Sequence, residues 1–220
     1  MKKRNALIPG YAWLPLIALT LVALLTYWGT RLFSQELPHC DLSLPIDGKI
    51  PFVPAFSVIY VLAYFQWVIG FILIARDSRE LCYTVLTGEI VSKLICAALF
   101  ILIPTTMVRA EVNSSGIFSD LVRWLYAHDA ADNLFPSIHC LDSLVCLHGA
   151  MRMKRTGKWL PRLTFPFTLL VFASTVLIKQ HVLVDILAGI LVCEIGQFVS
   201  RRTPVHKLFA RMNARLFHIT

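Results

Sequence analysis

Long apolar runs are the feature that most constrains this chain. A helix needs about 20 mostly apolar residues to cross the hydrocarbon core of a bilayer. Six runs approach or reach that length, at residues 11–33, 54–75, 89–108, 136–151, 163–178 and 182–199. With 57% hydrophobic and 15% charged residues, a soluble globule of 220 residues would expose far too much apolar surface. The sequence therefore predicts an all-α integral membrane protein, a bundle of six transmembrane helices.

The six runs follow one another without an internal repeat, which predicts a single membrane domain over residues 1–220. Its core is expected at residues 54–200, and residues 201–220 form a basic cytoplasmic tail. The tail mixes cations with apolar residues, so it either lies on anionic lipid or is simply solvated. The first run is too long for a signal peptide and predicts an uncleaved helix.

The net charge of +8 has a topological explanation. Fifteen Lys and Arg residues lie at the N terminus, in the segments 76–79 and 152–162, and in the tail. The alternate loops hold three, namely Lys49, Arg109 and Arg123. By the positive-inside rule this bias predicts cytoplasmic termini, and we expect no nucleic-acid partner.

Other polar residues within the runs have structural interpretations. Glu89 and Lys93 are four residues apart, near the inner end of the third run, and this spacing favours a helix-face ion pair. Glu194 is either protonated or paired inside the bundle. The roles of Asp142 and His148 stay open. The six cysteines show no close spacing, which argues against a disulfide framework or a zinc site while leaving a single bridge possible.

His181 and Asp185 form the most informative pair. Their spacing of four residues places them on one helix face, about 6 Å apart along the axis. A carboxylate at that position can fix the imidazole tautomer and leave the other nitrogen free for attack. A helix-capping or packing pair is the alternative.

Two further segments carry candidate groups for binding phosphate. Pro136 opens the fourth run, followed by Ser137 and His139, and the N–H groups of a first helical turn attract anions. Arg109 follows the third run and is either an interfacial anchor or a two-pronged phosphate clamp. The predicted topology brings all the candidates to one membrane face, the outer one: Arg109, Ser137, His139, Lys179 and His181.

Taken together, these motifs resemble the type-2 phosphatidic acid phosphatase superfamily of integral membrane enzymes. The family pattern is Lys-x6-Arg-Pro, then Pro-Ser-Gly-His, then Ser-Arg-x5-His-x3-Asp. The chain has Arg109-Ala110, Pro136-Ser137-Ile138-His139 and Ser174-Thr175-x5-His181-x3-Asp185. The motif segments 104–109, 136–139 and 174–185 occur in the family order.

The chain departs from the pattern at four places. Leu102 stands where the family has Lys, Ala110 where it has Pro, Ile138 where it has Gly, and Thr175 where it has Arg. Two phosphate-binding cations are therefore missing, and Lys179 is placed to restore one. The looser pattern is similar to the branch with inositolphosphorylceramide-synthase-like and related bacterial proteins, which implies a bacterial plasma membrane.

The resemblance implies a lipid phosphate or pyrophosphate phosphatase that acts on a membrane lipid without a cofactor. His181 would be the nucleophile, Asp185 its orienting partner, and His139 the acid that protonates the leaving alkoxide and then activates water. The phosphoryl oxygens would be held by Arg109, Ser137, Lys179, Ser174, Thr105 and Thr106.

Other functions compete with hydrolysis. A head-group phosphotransferase of the inositolphosphorylceramide-synthase or sphingomyelin-synthase kind would use the same His-His-Asp triad. A six-helix transporter or an inactive scaffold is a different class. Two histidines and one aspartate also resemble a metal-binding triad, but their positions suit the orientation of His181 better, so no metal is expected. The substrate lipid and the oligomeric state are not fixed by the sequence.

Overall fold

The computed structural model describes residues 6–217, where the backbone is mostly helical. A π-helical turn, Leu25–Gly29, joins the first two helices, so that Gly10–Ser34 is one continuous segment. Two short strands, β1 (Cys40–Asp41) and β2 (Thr105–Thr106), pair in parallel. The helices are α1 (Trp13–Leu24), α2 (Thr30–Ser34), α3 (Ser57–Asp77), α4 (Arg79–Leu102), α5 (Ile117–His128), α6 (Ile138–Arg152), α7 (Trp159–Leu177), α8 (Leu183–Arg202) and α9 (Lys207–Phe217).

Five helical segments are long and apolar enough to cross a membrane, and they correspond to five of the six predicted runs. They are Gly10–Ser34, Pro54–Asp77, Arg79–Leu102, Trp159–Leu177 and Leu183–Arg202. The remaining run forms α6, which has only 15 residues and packs against α3, α7 and α8. The prediction of an all-α integral membrane bundle is confirmed, and the count of six spans is approximate because α6 is short.

The third span differs from its predicted bounds of 89–108. α4 begins at Arg79, where the Ser78 hydroxyl accepts a hydrogen bond from the Leu81 N–H at 3.2 Å. It ends at Leu102, two residues before Pro104, which cannot continue a helix. Glu89 and Lys93 therefore lie in the middle of α4 and not near its inner end.

The ion pair between Glu89 and Lys93 is confirmed, with Nζ and Oε1 3.3 Å apart. Lys93 also contacts Asp142 of α6 at 2.5 Å. Glu194 likewise has a partner in the bundle, because His148 Nε2 lies 2.7 Å from its Oε1. These five ionisable groups within the helices are thus paired, which lowers the cost of placing charge in a membrane.

Small residues let α8 approach its neighbours closely. A Cβ atom on Gly196 would lie 2.1 Å from the Ser92 hydroxyl and 2.4 Å from the Gly88 carbonyl oxygen of α4. A Cβ atom on Gly189 would lie 2.7 Å from the Ser137 carbonyl oxygen, at the start of α6. Close helix contacts through small residues are typical of membrane bundles. Here they bring α8 close to α4 and to the beginning of α6.

The basic tail forms α9, which packs on the end of the bundle opposite the candidate motifs. Asn213 donates hydrogen bonds to the Tyr83 hydroxyl at 2.7 Å and the Tyr11 carbonyl at 2.9 Å, and Phe209 is buried. Leu208 on the other face stays exposed. One side of this helix is therefore part of the protein core and not a free tail.

Candidate active site

The turn between α7 and α8 holds His181 in a fixed position. Lys179 adopts a left-handed backbone conformation with φ of 53°, which reverses the chain. The N–H groups of Gln180 and His181 then donate to the Thr175 carbonyl at 2.9 and 3.0 Å and close the end of α7. The imidazole is therefore anchored through its own backbone.

Asp185 fixes the ring of His181. Its Oδ2 lies 3.1 Å from His181 Nδ1 and also accepts a hydrogen bond from the Val182 N–H at 3.1 Å. Because an ionised carboxylate only accepts, Nδ1 carries the hydrogen, and Nε2 keeps its lone pair. Asp185 is buried and His181 nearly so, which strengthens the interaction.

His139 is held in a different way, by aromatic rings. It lies in the first turn of α6 and stacks on Tyr60, with ring centroids 3.8 Å apart. Tyr64 and Trp67 approach it edge-on at 5.1 and 4.9 Å. Among the residues described, none forms a hydrogen bond with its Nε2.

The two histidines face each other, with ring centroids 6.3 Å apart. Their helices are tied together where α6 and α8 begin, because the Ser137 N–H donates to the Asp185 carbonyl at 3.0 Å. The contact between Gly189 and Ser137 closes the same junction. The distance between the imidazoles is therefore set by the backbone, and the gap suits a tetrahedral group bound between them.

A cavity of about 580 Å³ opens beside this pair. One wall is apolar and comes from α1 and α3, including Leu19, Ala23, Val68 and Phe71. At the polar end the cavity reaches both histidines, Lys93 and Asp142. The cavity thus has an apolar wall from α1 and α3 and a polar region at the imidazoles. This arrangement is suited to an amphipathic ligand.

Arg109 lies beside the turn that carries His181. Its guanidinium donates to the Tyr126 carbonyl at 3.2 Å and to the Gln180 side chain, and it covers the Tyr126 ring at 4.6 Å. Burial raises the pKa of Tyr126 to about 12, against the opposing effect of Arg109, so the phenol stays protonated near neutral pH. Its hydroxyl donates to the Ile178 carbonyl at 2.6 Å.

Lys179 lies near Arg109 but is hydrogen-bonded to the loop between α2 and α3. Its ammonium donates to the carbonyls of Asp47 and Ile50 at 2.8 and 2.6 Å. The Asp47 carboxylate in turn accepts from the Leu183 N–H at 2.9 Å. A second cavity, of about 470 Å³, is lined by Arg109, Lys179 and His181. Both cations thus line a cavity together with His181.

Four predicted phosphate ligands lie outside the two cavities that His181 lines. The Ser174 hydroxyl is buried and donates to the Val171 carbonyl at 2.7 Å. The Ser137 hydroxyl caps α6 by accepting from the Cys140 N–H. Thr105 accepts from two N–H groups of the loop before α6, and Thr106 belongs to β2. Their observed contacts hold the backbone around the site.

Several residues at the site were not predicted from the sequence. Gln180 contacts Arg109, Tyr60 stacks on His139, and Lys93 with Asp142 forms part of the cavity end. Asp142 had a usable signal, because it lies three residues after His139 on the same helix face. The others are brought together by tertiary contacts that no local spacing reveals.

A family model described as the PAP2 superfamily matches residues 39–199, which is well over half of the chain. No curated protein and no solved structure gives a significant match.

Proposed function

Because the chain belongs to the PAP2 superfamily, we propose that it is a lipid phosphate or pyrophosphate phosphatase working through a phosphohistidine. The superfamily consists in general of phosphatases and phosphotransferases, and the apolar helices make this an integral membrane member. The observation that carries the proposal is the pair of imidazoles 6.3 Å apart, one oriented by a buried carboxylate.

In the first step the Nε2 lone pair of His181 attacks phosphorus. The bond between phosphorus and the lipid oxygen breaks as the bond to nitrogen forms, and His139 gives its proton to the departing alkoxide. Asp185 stabilises the positive charge that develops on the attacking ring. The lipid alcohol leaves, and the phosphoryl group stays on His181.

In the second step a water molecule attacks the phosphohistidine. His139, now neutral, accepts the proton from this water, and the bond between phosphorus and nitrogen breaks. Inorganic phosphate is released, and both imidazoles return to their starting state. Arg109 and Lys179 neutralise the phosphoryl oxygens in both steps. Ser137, Ser174, Thr105 and Thr106 support this arrangement through the backbone that they hold.

A head-group phosphotransferase is the second candidate, and one observation favours it. His139 is only 7% exposed and is enclosed by Tyr60, Tyr64 and Trp67, so the acceptor that it activates meets aromatic surface. Such surroundings suit a lipid alcohol reaching His139 through the cavity. The alcohol would take the place of water in the second step.

A phosphate-release assay separates these two functions. Purified protein in detergent is given an isoprenoid pyrophosphate, phosphatidate or phosphatidylglycerophosphate, with and without a lipid alcohol. We expect release of inorganic phosphate that depends on His181. A phosphodiester lipid is supplied as a further donor. Transfer of its phosphorylated head group to the alcohol would establish the transferase, and inactivity on all of these lipids would contradict both proposals.

We further propose that the site faces the outside of a bacterial plasma membrane, with both termini in the cytoplasm. The support is the bias of fifteen loop cations against three. Single cysteines are introduced into a cysteine-free variant and treated with a membrane-impermeant thiol reagent in intact cells. We expect labelling in the segment 42–46 and none in 153–158. Ready labelling of 153–158 would reverse the topology.

A further inference from the structure

Asp129 provides an unbalanced negative charge at the polar end of the larger cavity. Its carboxylate accepts hydrogen bonds from the hydroxyls of Tyr27 and Tyr60, the latter at 3.1 Å. The other carboxylates of this cavity have cationic partners, since Asp132 pairs with Arg31 at 3.0 Å and Asp142 with Lys93. Among residues 6–215, no basic side chain forms an ion pair with Asp129.

Aromatic rings surround the same part of the cavity. Tyr27 and Trp28 come from the first helical segment, Tyr64 and Trp67 from α3, and Trp124 from α5. The faces of such rings attract cations, most strongly where water is excluded. A carboxylate among several aromatic rings is a combination that binds organic ammonium groups.

Tyr60 connects this region to the reacting groups. Its ring stacks on His139 at 3.8 Å, while its hydroxyl reaches Asp129. The side chain of Tyr60 therefore lies between Asp129 and His139 and contacts both. On the far side of the pair, Arg109 and Lys179 lie next to His181. The site has a cationic side suited to phosphate and an anionic, aromatic side.

We propose that Asp129 and the rings around it bind an ammonium group of the substrate while the phosphate lies between the histidines. The position of the phosphate rests on the proposed function, and the ammonium site rests on the cavity itself. The substrate would be a lipid with an amine a few bonds from phosphorus. That amine belongs either to a phosphodiester head group or to the backbone of an amino-alcohol lipid phosphate.

A polyol head group is the competing ligand, because aromatic rings and carboxylates also bind sugars. Both Asp129 oxygens, however, already accept hydrogen bonds from tyrosines. The negative charge of the Asp129 carboxylate has no cationic partner among the described residues, and a neutral polyol does not compensate this charge. The charge therefore favours an ammonium group.

Binding of non-hydrolysable analogues tests the site without turnover. Short-chain phosphonate lipids are titrated into the full-length protein in detergent, and the fluorescence of the cavity tryptophans is followed. One analogue carries a trimethylammonium head group, a second has its neutral tert-butyl isostere, and a third carries inositol. We expect the ammonium analogue to bind about tenfold more tightly than the isostere, the size of a desolvated cation–π and charge contribution.

Asp129→Asn should lower this preference to about threefold or less, the part that the rings alone supply, while the affinity for the isostere stays unchanged. Asp120→Asn, on the exposed part of α5, is the matched control and should keep the full preference. Equal binding of the two isosteres by the unmodified protein, or tighter binding of inositol, would overturn the proposal whether or not any variant folds. So would an undiminished preference in Asp129→Asn.

A fourth phosphonate analogue, which carries the ammonium group on the lipid backbone, distinguishes the two possible positions of the amine. Tighter binding of this analogue than of the head-group analogue assigns the amine to the backbone. A failure of the proposed function would appear separately, as lack of phosphate release that depends on His181, with ammonium binding intact.

Discussion

The two histidines of the site are held by opposite kinds of contact. His181 is fixed by hydrogen bonds, from its own N–H to Thr175 and from its ring to Asp185. His139 is held by stacking on Tyr60, and within the described part of the chain its Nε2 has no hydrogen-bond partner. A nucleophilic imidazole needs one tautomer and one direction of attack. An imidazole that acts first as an acid and then as a base must be free to give up and take back a proton. The difference in contacts therefore supports the two proposed roles.

The largest effect is expected from removing the nucleophile. His181→Ala should abolish both turnover and the phosphorylated protein, because the phosphoryl group has no other acceptor. A rapid quench with radiolabelled lipid phosphate detects the base-stable, acid-labile adduct of a phosphohistidine. His206→Ala, at the opposite end of the bundle, should retain both. Normal hydrolysis by a folded His181→Ala variant would disprove the mechanism.

His139→Ala should slow both steps by about a hundred- to ten-thousandfold, the usual contribution of general acid–base catalysis. Unlike the nucleophile variant, it should still form an adduct from an aryl phosphate, whose leaving group needs no protonation. Trapped adduct and turnover are compared on aryl and alkyl substrates. If both substrates were slowed equally at the first step, His139 would not be the acid.

Asp185→Asn should lower turnover by about a hundredfold while the protein remains folded. The amide still accepts the Val182 N–H but no longer supplies the charge that favours the correct tautomer. Thermal unfolding in detergent and kcat are measured together. A parallel collapse of stability and activity would show that Asp185 serves the helix start and not the imidazole.

Arg109→Lys should reduce kcat/KM by about tenfold, the scale of a lost charge-assisted hydrogen bond. The planar guanidinium of Arg109 can contact Gln180, the Tyr126 carbonyl and a phosphoryl oxygen at the same time. The single ammonium group of lysine cannot reproduce this geometry. Arg123→Lys, on the exposed side of α5, is the control. Unchanged kinetics would make Arg109 an anchor of the outer loop only.

The smallest effect is expected from Tyr60→Phe, which keeps the stacked ring and removes the hydroxyl on Asp129. Turnover of an amine-free lipid phosphate should change by about threefold or less. Tyr60→Leu removes the ring itself and should be clearly slower, since His139 loses its support. Steady-state rates of the two variants decide whether stacking or the hydroxyl matters to the acid.

Local patterns predicted the parts of the site that are close in sequence. The contact between His181 and Asp185 was predicted, but the expected geometry of two positions on one helix face was wrong. His181 lies in the turn before α8, and Asp185 reaches it from the first turn of that helix. His139 lies in the first turn of the helix that follows Pro136, as predicted. The bundle was predictable because each apolar run must satisfy its backbone within one helix. The start of α4 was missed because Arg79 and Glu80 look like loop residues until Ser78 is seen to cap them.

Contacts over long sequence distances could not be predicted in this way. Lys179 was predicted as a phosphate ligand, but its contacts with the carbonyls of Asp47 and Ile50, about 130 residues earlier, were not predicted. Gln180 contacts Arg109, which lies 71 residues earlier in the chain. Such contacts depend on how the loops pack over the helix ends. The spacing of residues along one helix does not predict that packing.

The first helical segment has a consequence for how this enzyme can diversify. Gly10–Ser34 forms one wall of the cavity and carries Tyr27, yet it precedes residue 39, where the family match begins. The histidines are spaced by the junction of α6 and α8, which this segment does not join. We therefore expect changes in its cavity-facing side chains to alter which lipid is accepted while the reacting groups keep their positions. Part of the cavity wall can then evolve separately from the residues that we propose for the chemistry.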